Sequence, residues 1–477
     1  MSPLHGQILL LATAFLSGLC FITGGSSQEA GTGVMVAQVL AIPVLLYALW
    51  QADRSGRLKS ARWSIALVLA IVSIPALQLL PLPTGLWNLS GARSALQQDL
   101  AMAGVVAIEH RWSLAPGVTE RALWSLLPAL ALFFSALALR RDAWRGLLWC
   151  VIALVAFSCV LAFVQIGAPQ DSFVNPFPQY AAAMAGVFAN RNHQSSALAI
   201  GLVLAAGLLL PSRRQHGNPA AARVHLAACV AAALLFALLL PLVGSRAGGI
   251  VALVALGVLA PVSGLFSLQH LQASRAMRWA ALLAAGVLIA GIYGALAWMQ
   301  VEADIEGSRW EMAVTTARLG LDNAPLGSGI GSFIAMFEQA TRGAMMKTGY
   351  VNAAHDEYAQ WWFEGGVAAV IVMLAVLAFV IVAMRRVLQL PARSTQRVTG
   401  AVALTALLVL LLHSMVDYPL RTPALMAMAG LLAGILVATT LRVDGSDDHD
   451  RKRSATARTR ATMAPANPPR EPWRSRR

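Results

Sequence analysis

Residues 146–166 read GLLWCVIALVAFSCVLAFVQI, 21 positions without a charge. A helix crossing the hydrocarbon core of a bilayer needs about 20 mostly apolar residues. Arg140, Arg141 and Arg145 stand immediately before this stretch. Length gives the span, and the arginines give its direction, because cytoplasmic loops carry the excess of Lys and Arg. The same signature recurs over residues 7–24, 33–50, 63–81, 121–139, 195–210, 226–243, 247–265, 279–299, 367–384, 400–413 and 423–441. The expected fold class is therefore all-α: a polytopic integral membrane protein with about 12 transmembrane helices.

The composition agrees. Of 477 residues, 58% are hydrophobic and 12% charged, where a soluble domain carries roughly 25% charged residues. In such a chain a net charge of +14 points to basic loops facing anionic lipid rather than to a nucleic-acid surface. Membrane lipids are expected partners; nucleic acid is not. Cys20, Cys150, Cys159 and Cys229 all fall in apolar stretches and read as small packed hydrophobes, not as a disulfide framework. The first apolar stretch has no Lys or Arg in its flank and no clear cleavage site after it. It reads as the first span rather than a signal peptide.

Placing the N-terminus in the cytoplasm tests the count. The inner loops then hold Arg54, Arg57, Lys59 and Arg62; Arg140, Arg141 and Arg145; Arg213, Arg214 and Arg223; Arg275 and Arg278; Arg385, Arg386, Arg393 and Arg397. Every one of them is basic, as the positive-inside rule requires. The tail, 442–477, is also inside, and its Arg-, Pro-, Ala- and Thr-rich composition predicts disorder. The chain thus divides into N-terminal spans over 1–185 with an external loop at 82–120, a region 186–441 that includes a long external loop at 300–365, and the tail.

The long loop is too long for a mere connection and reads as helical. Ser308 and Glu311 make a capping box ahead of Trp310, Ala313, Ala317 and Leu321. Asn323-Ala324-Pro325 stops that helix, Gly327-Ser328-Gly329-Ile330-Gly331 follows, and a second short helix starts at Ser332. His355 is expected to open a third.

The outer side collects distinctive polar phrases. Arg246 sits between two apolar spans with almost no loop. It either snorkels, as interfacial arginines do, or presents a guanidinium that binds phosphate bidentately. Gly248 and Gly249 would allow close approach of a backbone or ligand. Asn190-Arg191-Asn192-His193 stands at a helix entrance. Asn192 or Ser195 could be its cap, but a cap does not need Arg and His together. In His355-Asp356-Glu357-Tyr358, helical spacing puts His355, Tyr358 and Trp362 on one face. The aromatics fit an interfacial belt, while a neutral imidazole could take a proton from a hydroxyl near neutral pH. Adjacent residues on a helix point in different directions, so His355, Asp356 and Glu357 do not form a metal-ligand set. Nothing in the spacing brings His193, His355 and His413 together, and no metal is expected. The Gly327–Gly331 run has no preceding strand, which excludes a dinucleotide site. It is either a backbone cradle for an anion or a plain turn.

Taken in order, five phrases resemble the O-antigen ligase and Wzy-type polymerase superfamily. They are Gly186-Val187-Phe188-Ala189-Asn190-Arg191-Asn192-His193; Ser245-Arg246-Ala247-Gly248-Gly249; the helix with Arg309-Trp310 ending in Ala324-Pro325-Leu326-Gly327-Ser328-Gly329; His355-Asp356-Glu357-Tyr358-Ala359-Gln360; and His413-Ser414-Met415-Val416-Asp417-Tyr418-Pro419. The resemblance implies a twelve-helix bacterial inner-membrane glycosyltransferase whose site faces the periplasm and which works without a metal, nucleotide sugar or other cofactor. It would move a glycan from undecaprenyl diphosphate to an acceptor hydroxyl. The acceptor would be lipid A core, a second lipid-linked repeat unit, or a protein side chain. By the resemblance, His355 is the catalytic base, and Arg246, Arg191 and Arg309 bind the diphosphate. Asn190, Asn192, His193, Asp356, Tyr358, Asp417 and Arg421 would support them. Two positions depart from the pattern. Arg191 stands where relatives commonly have Pro or another residue, and Asp356 where many have Asn. A carboxylate at Asp356 touching the imidazole would make His355 more basic.

A transporter or flippase is the rival from another class. Transporters built of two six-helix halves often have a long central inner loop and ionisable residues at mid-membrane. Here the corresponding loop, 212–223, is short and the spans carry almost no charge at their centres. A non-catalytic scaffold of a polysaccharide export complex would leave the external Arg and His without a role.

Overall fold

The structure is a computed structural model that describes residues 3–27, 31–105, 110–169, 171–178, 184–210, 219–265, 303–341 and 351–441. Its longer helices, in chain order, are α1 Pro3–Thr23, α2 Thr32–Arg54, α3 Arg62–Gln78, α4 Gly91–Met102, α5 Pro116–Ser125, α6 Leu127–Ala138, α7 Arg141–Gln165, α8 Arg191–Leu209, α9 Pro219–Leu242, α10 Arg246–Val262, α11 Ala303–Asp322, α12 Phe333–Thr341, α13 Glu357–Gln389, α14 Thr395–His413 and α15 Pro423–Thr440. No strand occurs among the described residues.

Nine stretches among the described residues are helical, long and apolar enough to cross a membrane: α1, α2, α5 with α6 as Pro116–Ala138, α7, α8, α9, α13, α14 and α15. Shorter apolar helices, α3 and α10, accompany them. The protein is membrane-embedded, and helix is the regular structure of its described residues. Each expected span meets one of these helices except 279–299, which lies outside the described residues, as does the tail 442–477.

Packing centres on α8. Every side chain from Asn192 to Ala205 is buried, because α7, α9, α10 and α14 all lie against it. α15 packs on α6, α14 and α1. Its approach to α6 needs glycine: a Cβ at Gly430 would lie 2.2 Å from the Ala129 carbonyl oxygen, and one at Gly434 2.3 Å from that of Phe133. This small-residue spacing lets two membrane helices touch backbone to backbone.

The segments outside the bundle are tied to it. Arg93, on α4, is wholly buried. Its Nη2 donates to the carbonyls of Trp112 and Gly327, each at 2.6 Å. Trp112 Nε1 donates to Leu326 O at 2.9 Å, and Thr119 Oγ1 to Ile330 O at 2.8 Å. The glycine run is thus gripped through its carbonyls.

Its amides are engaged as well. Ser328 N donates to Phe363 O at 2.9 Å, Gly329 N to Glu364 O at 2.8 Å, and Ile330 N to Gln78 Oε1 at 2.8 Å. The accepting carbonyls are free because α13 breaks at Gly366 (φ 59°, ψ −146°). A Cβ there would meet Pro325 O at 2.2 Å. The run is a plug fitted into a helix kink, and the anion-cradle reading is corrected: those three amides face protein acceptors.

Two helix starts also differ from expectation. α11 begins at Ala303, so Ser308 lies inside the helix and not at its start. α13 begins at Glu357 with Asp356 as its cap. His355 therefore precedes the helix, in a left-handed conformation (φ 52°), and shares no helical face with Tyr358 and Trp362.

Candidate functional site

The site forms at the end of the bundle where α8, α10, α13 and α15 begin. Asn190 caps α8: its side chain accepts from Asn192 N at 2.8 Å. The cap is Asn190, not Asn192 or Ser195, because Asn190 has the extended backbone that a cap requires. This releases Asn192 and His193, in the first turn, to point inward, and both are buried.

The turn between α14 and α15 supplies the centre. Asp417 is fully buried. Its Oδ2 accepts from Asn192 Nδ2, and its Oδ1 accepts from Tyr418 N at 2.9 Å. Two imidazoles face that same Oδ1: His355 with Nδ1 at 3.7 Å and His193 with Nε2 at 3.9 Å. Burial opposes ionisation of Asp417, but the imidazoles of His355, His193 and His413 outweigh it and hold the carboxyl well below the usual carboxylate range. Asp417 is an anion at neutral pH.

Tyr418 lies between the two rings, edge-on to His193 at 4.9 Å and to His355 at 5.2 Å between centroids. Its hydroxyl accepts from Asn352 Nδ2 at 3.0 Å and from Asn190 Nδ2 at 3.5 Å. Burial, with the neighbouring Asp417 charge, pushes the phenol up to about 12. His413 closes the group from α14, with Nδ1 2.7 Å from Ser196 Oγ. The three histidines that sequence spacing did not connect therefore gather around one carboxylate. Among the described residues no three His, Cys, Asp or Glu side chains are placed to hold a metal ion.

His355 is the member that solvent reaches: its side chain is 15% exposed, against 2% for His193. The carboxylate beside it is Asp417 and not Asp356. Asp356 accepts from Tyr358 N at 2.9 Å and Ala359 N at 3.0 Å as the cap of α13, and burial raises its carboxyl. The expectation that Asp356 tunes His355 is corrected on that ground. Tyr358 is likewise engaged, its hydroxyl donating to Leu411 O at 2.7 Å.

The arginines divide. Arg191 is the first residue of α8 and is exposed. It reaches toward the turn before α10, where a Cβ at Gly244 would be 3.6 Å from its Nη1. Arg246 is the first residue of α10, half-buried, behind the cap Ser245, which accepts from Gly248 N at 3.2 Å. Gly248 permits close packing on α8, since a Cβ would fall 1.6 Å from Ser195 Oγ, whereas Gly249 faces open space. Arg309, on α11, lies close enough for its charge to act on Tyr418. Arg421 is different: both its Nη atoms bond Glu364, at 3.2 and 2.8 Å. It supports the architecture rather than the mouth.

The roles of several residues of this site are not legible in the sequence. Glu364 and Glu357 are single acids in an apolar helix, and each has a partner far along the chain: Arg421 for Glu364, and Ser414 Oγ (3.1 Å) and Leu420 N (2.8 Å) for Glu357. Gln360 bridges Glu364 Oε1 at 3.1 Å and Ala354 N at 3.1 Å, which fixes the strand of chain leading to His355. Their four-residue spacing at 360 and 364, on one helix face, was the available signal.

No protein-family model and no curated protein matches the chain. What the geometry defines is a membrane-embedded helical protein with a buried carboxylate backing a solvent-reachable imidazole, flanked by arginines at helix entrances.

Proposed function

We propose that the protein is a metal-independent glycosyltransferase of the O-antigen ligase and Wzy-type polymerase kind. It would sit in the bacterial inner membrane with both termini cytoplasmic and the His355 end facing the periplasm. The donor is a glycan on undecaprenyl diphosphate; the acceptor is a hydroxyl of lipid A core or of a second lipid-linked repeat unit. The reading rests on the five sequence phrases and on one observation, the solvent-reachable His355 imidazole backed by the buried Asp417 carboxylate at 3.7 Å.

His355 takes the proton of the acceptor hydroxyl as that oxygen attacks the anomeric carbon. The bond from that carbon to the diphosphate oxygen breaks, and undecaprenyl diphosphate leaves with the electron pair. No separate acid is needed, because the leaving group is stable once its charge is held. Arg191, Arg246 and Arg309 would hold it, and guanidinium suits phosphate geometry. Removing one such donor costs about 2.7–4 kcal/mol of barrier, roughly 100- to 1,000-fold in rate.

The test is mass spectrometry of undecaprenyl-linked glycans in the native host, comparing wild type with His355→Ala and Arg246→Ala at matched membrane protein level. Both variants are expected to accumulate donor. Accumulated single repeat units identify a polymerase, and accumulated long chains on the carrier identify a ligase. Normal glycan output from both variants ends the proposal.

A further inference from the structure

Asp417 Oδ1 is the meeting point of two ring nitrogens that have no hydrogen-bond partner of their own, His355 Nδ1 and His193 Nε2, both buried. At 3.7 and 3.9 Å the contacts are electrostatic rather than hydrogen bonds. Each imidazole has a choice of which nitrogen carries the proton. A lone pair turned toward a buried anion is repelled, and an N–H turned toward it is attracted. The anion is well held, because Asn192 Nδ2 and Tyr418 N donate to it.

For His193 the second nitrogen is compatible with the same choice. Its Nδ1 lies 3.0 Å from Thr422 Oγ1, a hydroxyl able to donate to it when Nε2 carries the hydrogen toward Asp417. His355 presents the opposite nitrogen to the same oxygen. We propose that Asp417 is a positioning residue that fixes His355 as its Nδ1–H tautomer, leaving the lone pair on Nε2. The tautomer of a histidine is set by what its other nitrogen meets. Asp356, adjacent in sequence, has no part in this, since its carboxylate caps α13.

This inference deepens the reading of His355 as the base and rests on it, but the tautomer can be measured without the reaction. The experiment is nitrogen NMR of the full-length protein, labelled with 15N-histidine, in nanodiscs at mildly alkaline pH. The His355 signal is assigned by its loss in His355→Gln. Wild type is expected to show His355 mostly as Nδ1–H. Asp417→Asn should reduce that form to a minority, and Asp417→Glu should retain it. A His355 that is already Nε2–H in wild type, or a Nδ1–H fraction unchanged in Asp417→Asn, overturns the proposal.

The second arm reads donor-linked glycan in cells. Asp417→Asn should slow transfer roughly 100-fold or more, the scale of a lost general base, and should add nothing further to His355→Gln. Asp417→Glu should recover part of the loss, which excludes simple misfolding. A further loss in the double variant would mean that Asp417 acts apart from His355 and would overturn its positioning role. If the tautomer responds as expected but His355→Gln transfers glycan normally, Asp417 still sets the ring and the base reading alone fails.

Discussion

Glu364 and Arg421 form a two-pronged ion pair inside the protein, at 2.8 and 3.2 Å, with no part of Glu364 exposed. The pair joins the kinked helix α13 to the turn that carries Asp417. Glu364 Oε1 also accepts from Phe333 N at 3.2 Å, which brings α12 into the same knot. Two charges are satisfied here because geometry and additional donors make up for their loss of water.

Arg421→Ala leaves the Glu364 carboxylate buried without its counter-charge. Breaking a buried pair from one side costs about 3–5 kcal/mol. The purified variant should therefore unfold well below wild type in a detergent melt followed by tryptophan fluorescence, and Arg421→Lys, which keeps the charge but loses the fork, should fall between them. An Arg421→Ala protein that melts like wild type yet transfers no glycan would make Arg421 a substrate contact instead.

Asp356 and Asp417 are both acids close to His355, with separable duties. Asp356→Ala removes the cap of α13 and should cost about 0.5–2 kcal/mol of stability, with carrier-linked glycan close to the wild-type profile. Asp356→Ser should restore the melt. Loss of transfer in Asp356→Ser would return that carboxylate to the chemistry.

The contact between α15 and α6 predicts a third result. Gly434→Val must push the two backbones apart, because even a Cβ would lie 2.3 Å from Phe133 O. Overpacking of this kind costs about 1–3 kcal/mol or more. The variant should elute as aggregate or at reduced yield in size-exclusion chromatography. The same change at Gly257, which meets nothing within 4 Å, should be tolerated. Equal elution of both variants would refute the close approach.

The membrane spans could be read from sequence because burial in lipid demands long apolar runs, a one-dimensional property. The kink of α13 could not. It is set by a glycine in a non-helical conformation whose freed carbonyls find amides at 328 and 329, and those partners are far away in the chain. The sequence does not single out Asn190 as the cap, because a cap is defined by backbone angle rather than by residue type, and Asn190, Asn192 and Ser195 all have suitable side chains. His355 and the arginines stood out as charges that apolar surroundings make costly. Asp417 was visible only as part of a phrase. Its role as the meeting point of His193, His355 and His413 follows from the convergence of α8, α13 and α14, which no spacing within one segment encodes.

Helix direction sets the backbone charge around His355. α8, α10, α13 and α15 all begin at the His355 end. Aligned peptide dipoles leave the equivalent of about half a positive charge at each helix start. The ends of α1, α7, α9 and α14 lie among these starts, so the backbone's partial charges alternate across this end rather than add up. A negatively charged group arriving there is drawn to an individual helix start, and Arg191 on α8 and Arg246 on α10 each stand at one.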